Sequence, residues 1–210
     1  MFPLFLRLAI GLTLLFTALV GLVRTRPYDD TAIRAFVAPP PDCAAPCWQN
    51  IRPGTTSADN ALLLLRASPR IERVAMDFSI SRDEGWLFWR WSADQPDDLV
   101  VPANNSVRVD LNTVTSILMA THIRYGDLWL ALGAPDDIRK RQFGDWLYLE
   151  NAYLDESFLV QVHLPCTVPS NELWIAPVSV LWIEGVASAY PPTTWKLAEL
   201  TRCEGSGRAR

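Results

Sequence analysis

The 210-residue chain contains only two histidines, four cysteines and three methionines, and it lacks every short signature that gathers chemistry at one point. There is no G-x-S-x-G nucleophile elbow. The phosphate-cradling G-x-x-x-x-G-K, the dinucleotide-binding G-x-G-x-x-G and the H-E-x-x-H metal helix are missing too. His122 and His163 stand about forty residues apart, and each reads as an ordinary surface or satisfied side chain rather than a base or ligand. The carboxylate pairs Asp97-Asp98, Asp136-Asp137 and Asp155-Glu156 fall in polar loops or turns, where solvated acids are the usual outcome and neither acid–base work nor calcium binding is implied. No catalytic residue, cofactor or metal ligand is assigned, and an enzyme is not expected. Nor is there an excess of positive charge: with a net charge of −4, binding to nucleic acid is not expected.

What the chain does have is a long apolar beginning. Leu8 to Val23 is a run of 16 uncharged residues, preceded by Phe2 to Leu6 and the single charge of Arg7, and the whole approaches the ~20 residues that span a bilayer. A cleaved signal peptide is the competing reading, but Ala18 and Gly21 offer no clean A-x-A site. Residues 1–23 are therefore expected to be an uncleaved transmembrane anchor. Arg24 and Arg26 behind the segment lean toward a cytoplasmic body by the positive-inside rule. The cysteines lean the other way, because Cys43, Cys47, Cys166 and Cys203 all lie downstream and are even in number, which suits disulfides in an oxidising compartment. The cysteines carry more weight, since the charge difference is small and Asp29 and Asp30 sit beside it. A single-pass cell-membrane protein with an extracytoplasmic C-terminal domain is the resulting expectation. Three pairings of four cysteines are possible and spacing does not choose among them; Cys43 with Cys47 and Cys166 with Cys203 is the pairing favoured. A zinc site is disfavoured, because C-x3-C lacks the usual C-x2-C spacing and has no nearby histidine.

Along the chain, residues 24–42 carry Pro27 and Pro39 to Pro41 and read as an extended linker. Thr55 to Ala67 reads as a helix entered after Pro53-Gly54, with Thr56 and Asp59 approximating a capping box and Ala58, Ala61, Leu62 and Leu65 on one face. Period-two alternation then marks Val74 to Ser81, Trp86 to Trp91 and Ser106 to Leu111, with Val114 to Met119 either a continuation or a partner after a turn at Asn112. Asp94 to Asn105 reads as a loop. A short helix over Asp127 to Leu132 stops at Gly133 and Pro135, and strands return at Asp145 to Leu149, Phe158 to Leu164 and Val178 to Ile183. Residues 191–210 read as a tail with a short helix over Thr194 to Leu200.

Ile51-Arg52-Pro53-Gly54 and Ile123-Arg124-Tyr125-Gly126 are near-copies 72 residues apart, each leading into a helix and then strands. The fold class expected is α+β, an N-terminal transmembrane helix followed by two tandem helix-plus-antiparallel-sheet repeats over residues 43–120 and 121–190, which bury each other's sheet faces. Gly54-Thr55 before the Ala61 to Leu65 helix, and Gly126 through Leu132-Gly133-Ala134-Pro135, resemble the glycine, helix, Leu-Gly-x-Pro order of the SmpA/OmlA outer-membrane assembly lipoproteins, including BamE, and of the tandem β-lactamase-inhibitor-like fold. The stretch Cys43 to Gly54 also resembles the start of membrane-anchored bacterial envelope proteins. The resemblance implies a fold and an envelope compartment. It departs from the lipoproteins in having no lipid-accepting Cys after the apolar run.

Nine tryptophans are present, and their ordinary role in a strand-rich domain is core and cross-strand packing. The cluster at Trp86, Phe88, Trp89 and Trp91 is nevertheless the candidate recognition surface, with Trp86, Trp89 and Trp91 as its residues. Alternation puts Trp86, Phe88 and Arg90 on one face and Leu87, Trp89 and Trp91 on the other. The function expected is a non-enzymatic, membrane-anchored extracytoplasmic module that meets the membrane through its first helix and binds a protein partner in the envelope. The alternative is a sensory or ligand-binding ectodomain that recognises a small molecule or glycan through a Trp-rich sheet.

Overall fold

The computed structural model describes residues 2–24, 28–78, 84–92, 99–102, 105–155, 157–189 and 203. The chain divides into two compact units, Met1–Ala32 and Ile33–Arg210. In the first, helix α1 (Phe2–Arg24) absorbs its hydroxyls into the backbone: Thr13 Oγ1 donates to the Ala9 carbonyl at 2.9 Å and Thr17 Oγ1 to the Thr13 carbonyl at 2.8 Å. Among the described residues no helix is long and apolar enough to cross a membrane. The expected transmembrane anchor, and the single-pass cell-membrane localisation that depended on it, are corrected accordingly.

The stretch expected to be a plain linker holds a second helix, α2 (Thr31–Val37). The Asp29 carboxylate accepts the Thr31 N–H at 3.1 Å and is held below its ordinary pKa by its hydrogen bonds to Thr31, as suits an acid at a helix start. Ile33 and Val37 are buried and Phe36 packs against the core beside them, so an i, i+3, i+4 apolar stripe decides the conformation where the flanking prolines suggested extension. Helix α3 (Ala58–Ala67) buries Ala58, Ala61 and Leu65 as expected, but its cap is Ser57, whose hydroxyl accepts the Asn60 N–H at 3.4 Å. Thr56 is diverted, its hydroxyl accepting the Arg52 N–H at 2.8 Å.

Eight strands follow: β1 (Ile71–Phe78), β2 (Glu84–Trp91), β3 (Asn105–Asp110), β4 (Thr113–Arg124), then helix α4 (Tyr125–Leu132), β5 (Asp137–Phe143), β6 (Trp146–Tyr153), β7 (Phe158–Pro165), a 3-10 turn (Ser170–Ile175), β8 (Pro177–Ile183) and the short α5 (Val186–Ala189). They form one sheet in the order β1-β2-β3-β4-β8-β7-β6-β5, antiparallel at every step. This overturns the expected fold class. Four strands follow each of α3 and α4, and the two meanders fuse edge to edge where β4 pairs with β8 instead of packing face on face. A separate four-stranded meander would leave the rows of N–H and C=O groups on β4 and β8 unpaired; pairing them satisfies both edges and makes one continuous surface for the core. Val114 to Met119 is thus the partner of β3, reached through Leu111 and Asn112, both at positive φ. Strand β4 also runs past the boundary placed at residue 120.

The two tetrapeptides play matching parts. Gly54 N–H donates to the Val114 carbonyl at 2.8 Å, and Tyr125 N–H to the Ala176 carbonyl at 2.9 Å, so each docks at the start of the fourth strand that follows it. Gly54 has φ of +85° and a Cβ there would strike the Glu184 carboxylate; a Cβ on Gly126 would come 2.9 Å from the Trp174 carbonyl. At Gly54 the positive φ is what favours glycine, since the Glu184 carboxylate can swing aside, whereas at Gly126 the obstacle is fixed backbone.

One sheet face is covered by α2, α3, α4 and the segment around Trp48. Trp48 stacks on Trp89 with centroids 5.4 Å apart, meets Trp91 edge-on at 5.9 Å and lies 6.2 Å from Trp182. The Cys43–Cys47 disulfide closes the turn that delivers Trp48, and Cys166–Cys203 pins residue 203 to the end of β7. Those are the pairings favoured from the sequence, all four cysteines are used, and two disulfides fit an oxidising compartment. Most of the loop expected over Asp94 to Asn105 and the helix expected over Thr194 to Leu200 lie outside the described residues.

Candidate functional site

Directly opposed residues on neighbouring antiparallel strands project to the same side, so the register maps the second sheet face. Strand β2 alternates strictly between exposed and buried positions. Leu87, Trp89 and Trp91 belong to the core at 1%, 3% and 6% exposure, whereas Trp86 and Phe88 are exposed. The recognition trio Trp86, Trp89 and Trp91 is therefore split between two faces. Only Trp86 is available, and its companion is Phe88, whose ring stacks at 6.2 Å with 17° between planes. The reason lies in Trp48: alternation reveals two faces, but which one is covered depends on a residue far away in sequence.

Trp86 is buttressed by its cross-strand neighbour Arg108, whose guanidinium sits 5.7 Å from the ring centroid, a cation–π distance. Arg108 is itself ion-paired with Glu84 at 3.4 Å. The next row across the sheet is Ala75, Phe88, Ser106 and Leu118, one residue from each of β1 to β4. Small side chains on either side of Phe88 leave a groove of about 430 Å³, lined also by Arg73 and Arg90. Further along the same row, Leu181, Leu159 and Ala152 are capped by Val186 of α5 in a small second core. Among the described residues, the open face is thus uncovered on the β1–β4 side and partly roofed on the other.

A second hollow of about 350 Å³ is lined by both His122 and His163, together with Gln161 and Pro177. His163 lays its ring 4.5 Å from that of Tyr148; burial lowers its pKa, and the negative charge of Glu150 opposes the shift. A histidine with a lowered folded pKa binds fewer protons than the unfolded chain, so stability is complete above pH ~6.5 and falls as pH drops through that value. His163→Gln is expected to flatten this slope in melting curves taken between pH 7.5 and 5, by a small amount because the ring edge meets solvent.

Among the described residues, the paired acids Asp136 and Asp137 are each engaged locally. The Asp136 carboxylate accepts the Leu154 N–H at 2.8 Å, buried Asp137 meets Arg139 at 3.4 Å, and Asp97, Asp98 and Glu156 lie outside the described residues. Among the described residues no three His, Cys, Asp or Glu side chains gather as a metal site.

No protein-family model, curated protein or solved structure matches the chain. One internal echo was overlooked in the sequence: Trp86-Leu87-Phe88 on β2 recurs as Trp146-Leu147-Tyr148 on β6. Trp146, directly opposite Phe143, is exposed as Trp86 is, so each half of the sheet shows an aromatic patch on the open face.

Proposed function

We propose that this protein is a non-catalytic recognition module of an oxidising compartment, which binds a protein partner through the open face of its sheet with Trp86 and Phe88 as anchors. The observation that carries this reading is a stacked, exposed aromatic pair, at 36% and 41% exposure, mounted on a strand whose other side is locked into the core. Binding hot spots are rich in Trp and in Arg, and rings held in place before contact lose little conformational freedom on binding. The adjoining hollow is a groove crossing several strands, which suits a polypeptide better than the enclosed cavity that swallows a drug-sized ligand.

Benzoylphenylalanine placed at position 86 or 88 is expected to form the same photo-adduct in the protein's native cells, with no such adduct from Leu63, an exposed residue of α3. Adducts of equal yield from all three positions, or none from 86 and 88, would remove the face from consideration. The alternative reading, a domain for a small molecule or glycan, draws support from the same aromatic platform, since a sugar ring stacks on Trp. Saturable quenching of Trp86 fluorescence by a free sugar, absent in Trp86→Phe, would favour it.

A further inference from the structure

Resting on that reading, we infer that the partner segment is acidic, and that one of its carboxylates seats between Arg73 and Arg90 at the wall of the open-face groove. Arg73 on β1 and Arg90 on β2 are directly opposed and both exposed. Like charges facing each other across strands destabilise a sheet. Elsewhere in the sheet single arginines are answered by an acid nearby, Arg108 by Glu84 and Arg141 by Glu150. Among the described residues, neither Arg73 nor Arg90 has an ion-pair partner. Two guanidinium groups on one side of a groove floored by Ala75, Phe88, Ser106 and Leu118 present the forked donors that fit a carboxylate, next to an aromatic surface for an apolar side chain.

The groove takes one residue from each of four successive strands, a run of about 14 Å at the usual strand spacing. That length matches about four residues of extended chain, so an acidic and an aromatic side chain of one peptide can reach the arginines and Phe88 together. The occupant is thus an extended acidic segment with an aromatic or aliphatic residue close to its carboxylate. Arg73 also lies on β1, an outer strand of the sheet, and among the described residues nothing closes the groove at that end.

The test uses the full chain with its disulfides and a fluorescein-labelled synthetic peptide alternating glutamate with phenylalanine, followed by anisotropy at low salt. Arg73→Glu and Arg90→Glu should each weaken binding at least about tenfold, the loss of one charge-assisted pair. Arg66→Glu on α3, an equal change of charge on the covering layer, should leave affinity within about twofold. A peptide with glutamine in place of glutamate should bind as poorly to the parent as the acidic peptide binds to the variants. Because each charge reversal also relieves the opposed pair, melting temperature should stay level or rise by up to about 3 °C, which separates lost binding from lost folding. Equal binding of the acidic peptide by parent, Arg73→Glu and Arg90→Glu overturns the inference. If binding then still fails in Trp86→Ala with Phe88→Ala, the open face stands as the interface and only its acidic preference falls; if that variant also binds normally, both fall.

Discussion

Replacing Cys166 and Cys203 together by alanine is expected to cost about 4 kcal/mol of stability, the chain-entropy value for a closed loop of that length. The two residues are separated by 37 positions, so the bond removes far more freedom from the unfolded chain than the Cys43–Cys47 bond, with a separation of 4, for which the same relation yields about 2 kcal/mol. In thermal melts the first change should lower the midpoint by about 8–16 °C and the second by about half as much. The ranking is the informative part. A larger loss from opening Cys43–Cys47 would mean that its main contribution is to seat Trp48 over Trp89 and Trp91, an enthalpic role that loop length does not capture.

Trp182→Ala should be about as damaging, at roughly 3–5 kcal/mol, a large share of the ~5–15 kcal/mol that keeps a domain folded. Trp182 is 1% exposed. It touches Phe36 of α2 at 6.0 Å, Trp48 at 6.2 Å and Phe158 of β7 at 6.2 Å, and it sits on β8, the strand that joins the two meanders. Removing it empties the point where covering layer and both halves of the sheet meet. Trp86→Ala makes the same chemical change on the open face and should cost less than about 1 kcal/mol, as substitutions at the surface do. Urea titrations of the two variants side by side measure the difference. Equal costs would mean that the open face is not open.

Much of this architecture could be seen in the chain itself. The alternation from Trp86 to Trp91 and from Phe158 to Leu164, the helix stop at Gly133, and the paired tetrapeptides at Ile51 and Ile123 each reflect a local period or a local backbone demand, and these survive in a linear text. Three features did not. Strand β5 runs Asp137–Phe143 with Arg139, Lys140 and Arg141 in succession, a composition that reads as loop but suits an outer strand whose charges discourage further pairing. Helix α2 was hidden by the prolines on either side of it. The fusion of β4 with β8 leaves no trace in periodicity, because a strand paired on both sides and a strand at an edge can carry the same alternation. The candidate site shows the same limit: the two faces of β2 were legible, but the identity of the buried one depends on Trp48, nearly forty residues earlier.

Brief oxidation of the folded protein with N-bromosuccinimide, read tryptophan by tryptophan by mass spectrometry, tests the sidedness of the sheet most directly. Trp86 and Trp146 should react early, while Trp48, Trp89, Trp91 and Trp182 stay intact until the protein unfolds. Modification of Trp89 or Trp91 as fast as Trp86 would contradict the account, because the aromatic pair on the open face would then have no buried counterpart behind it.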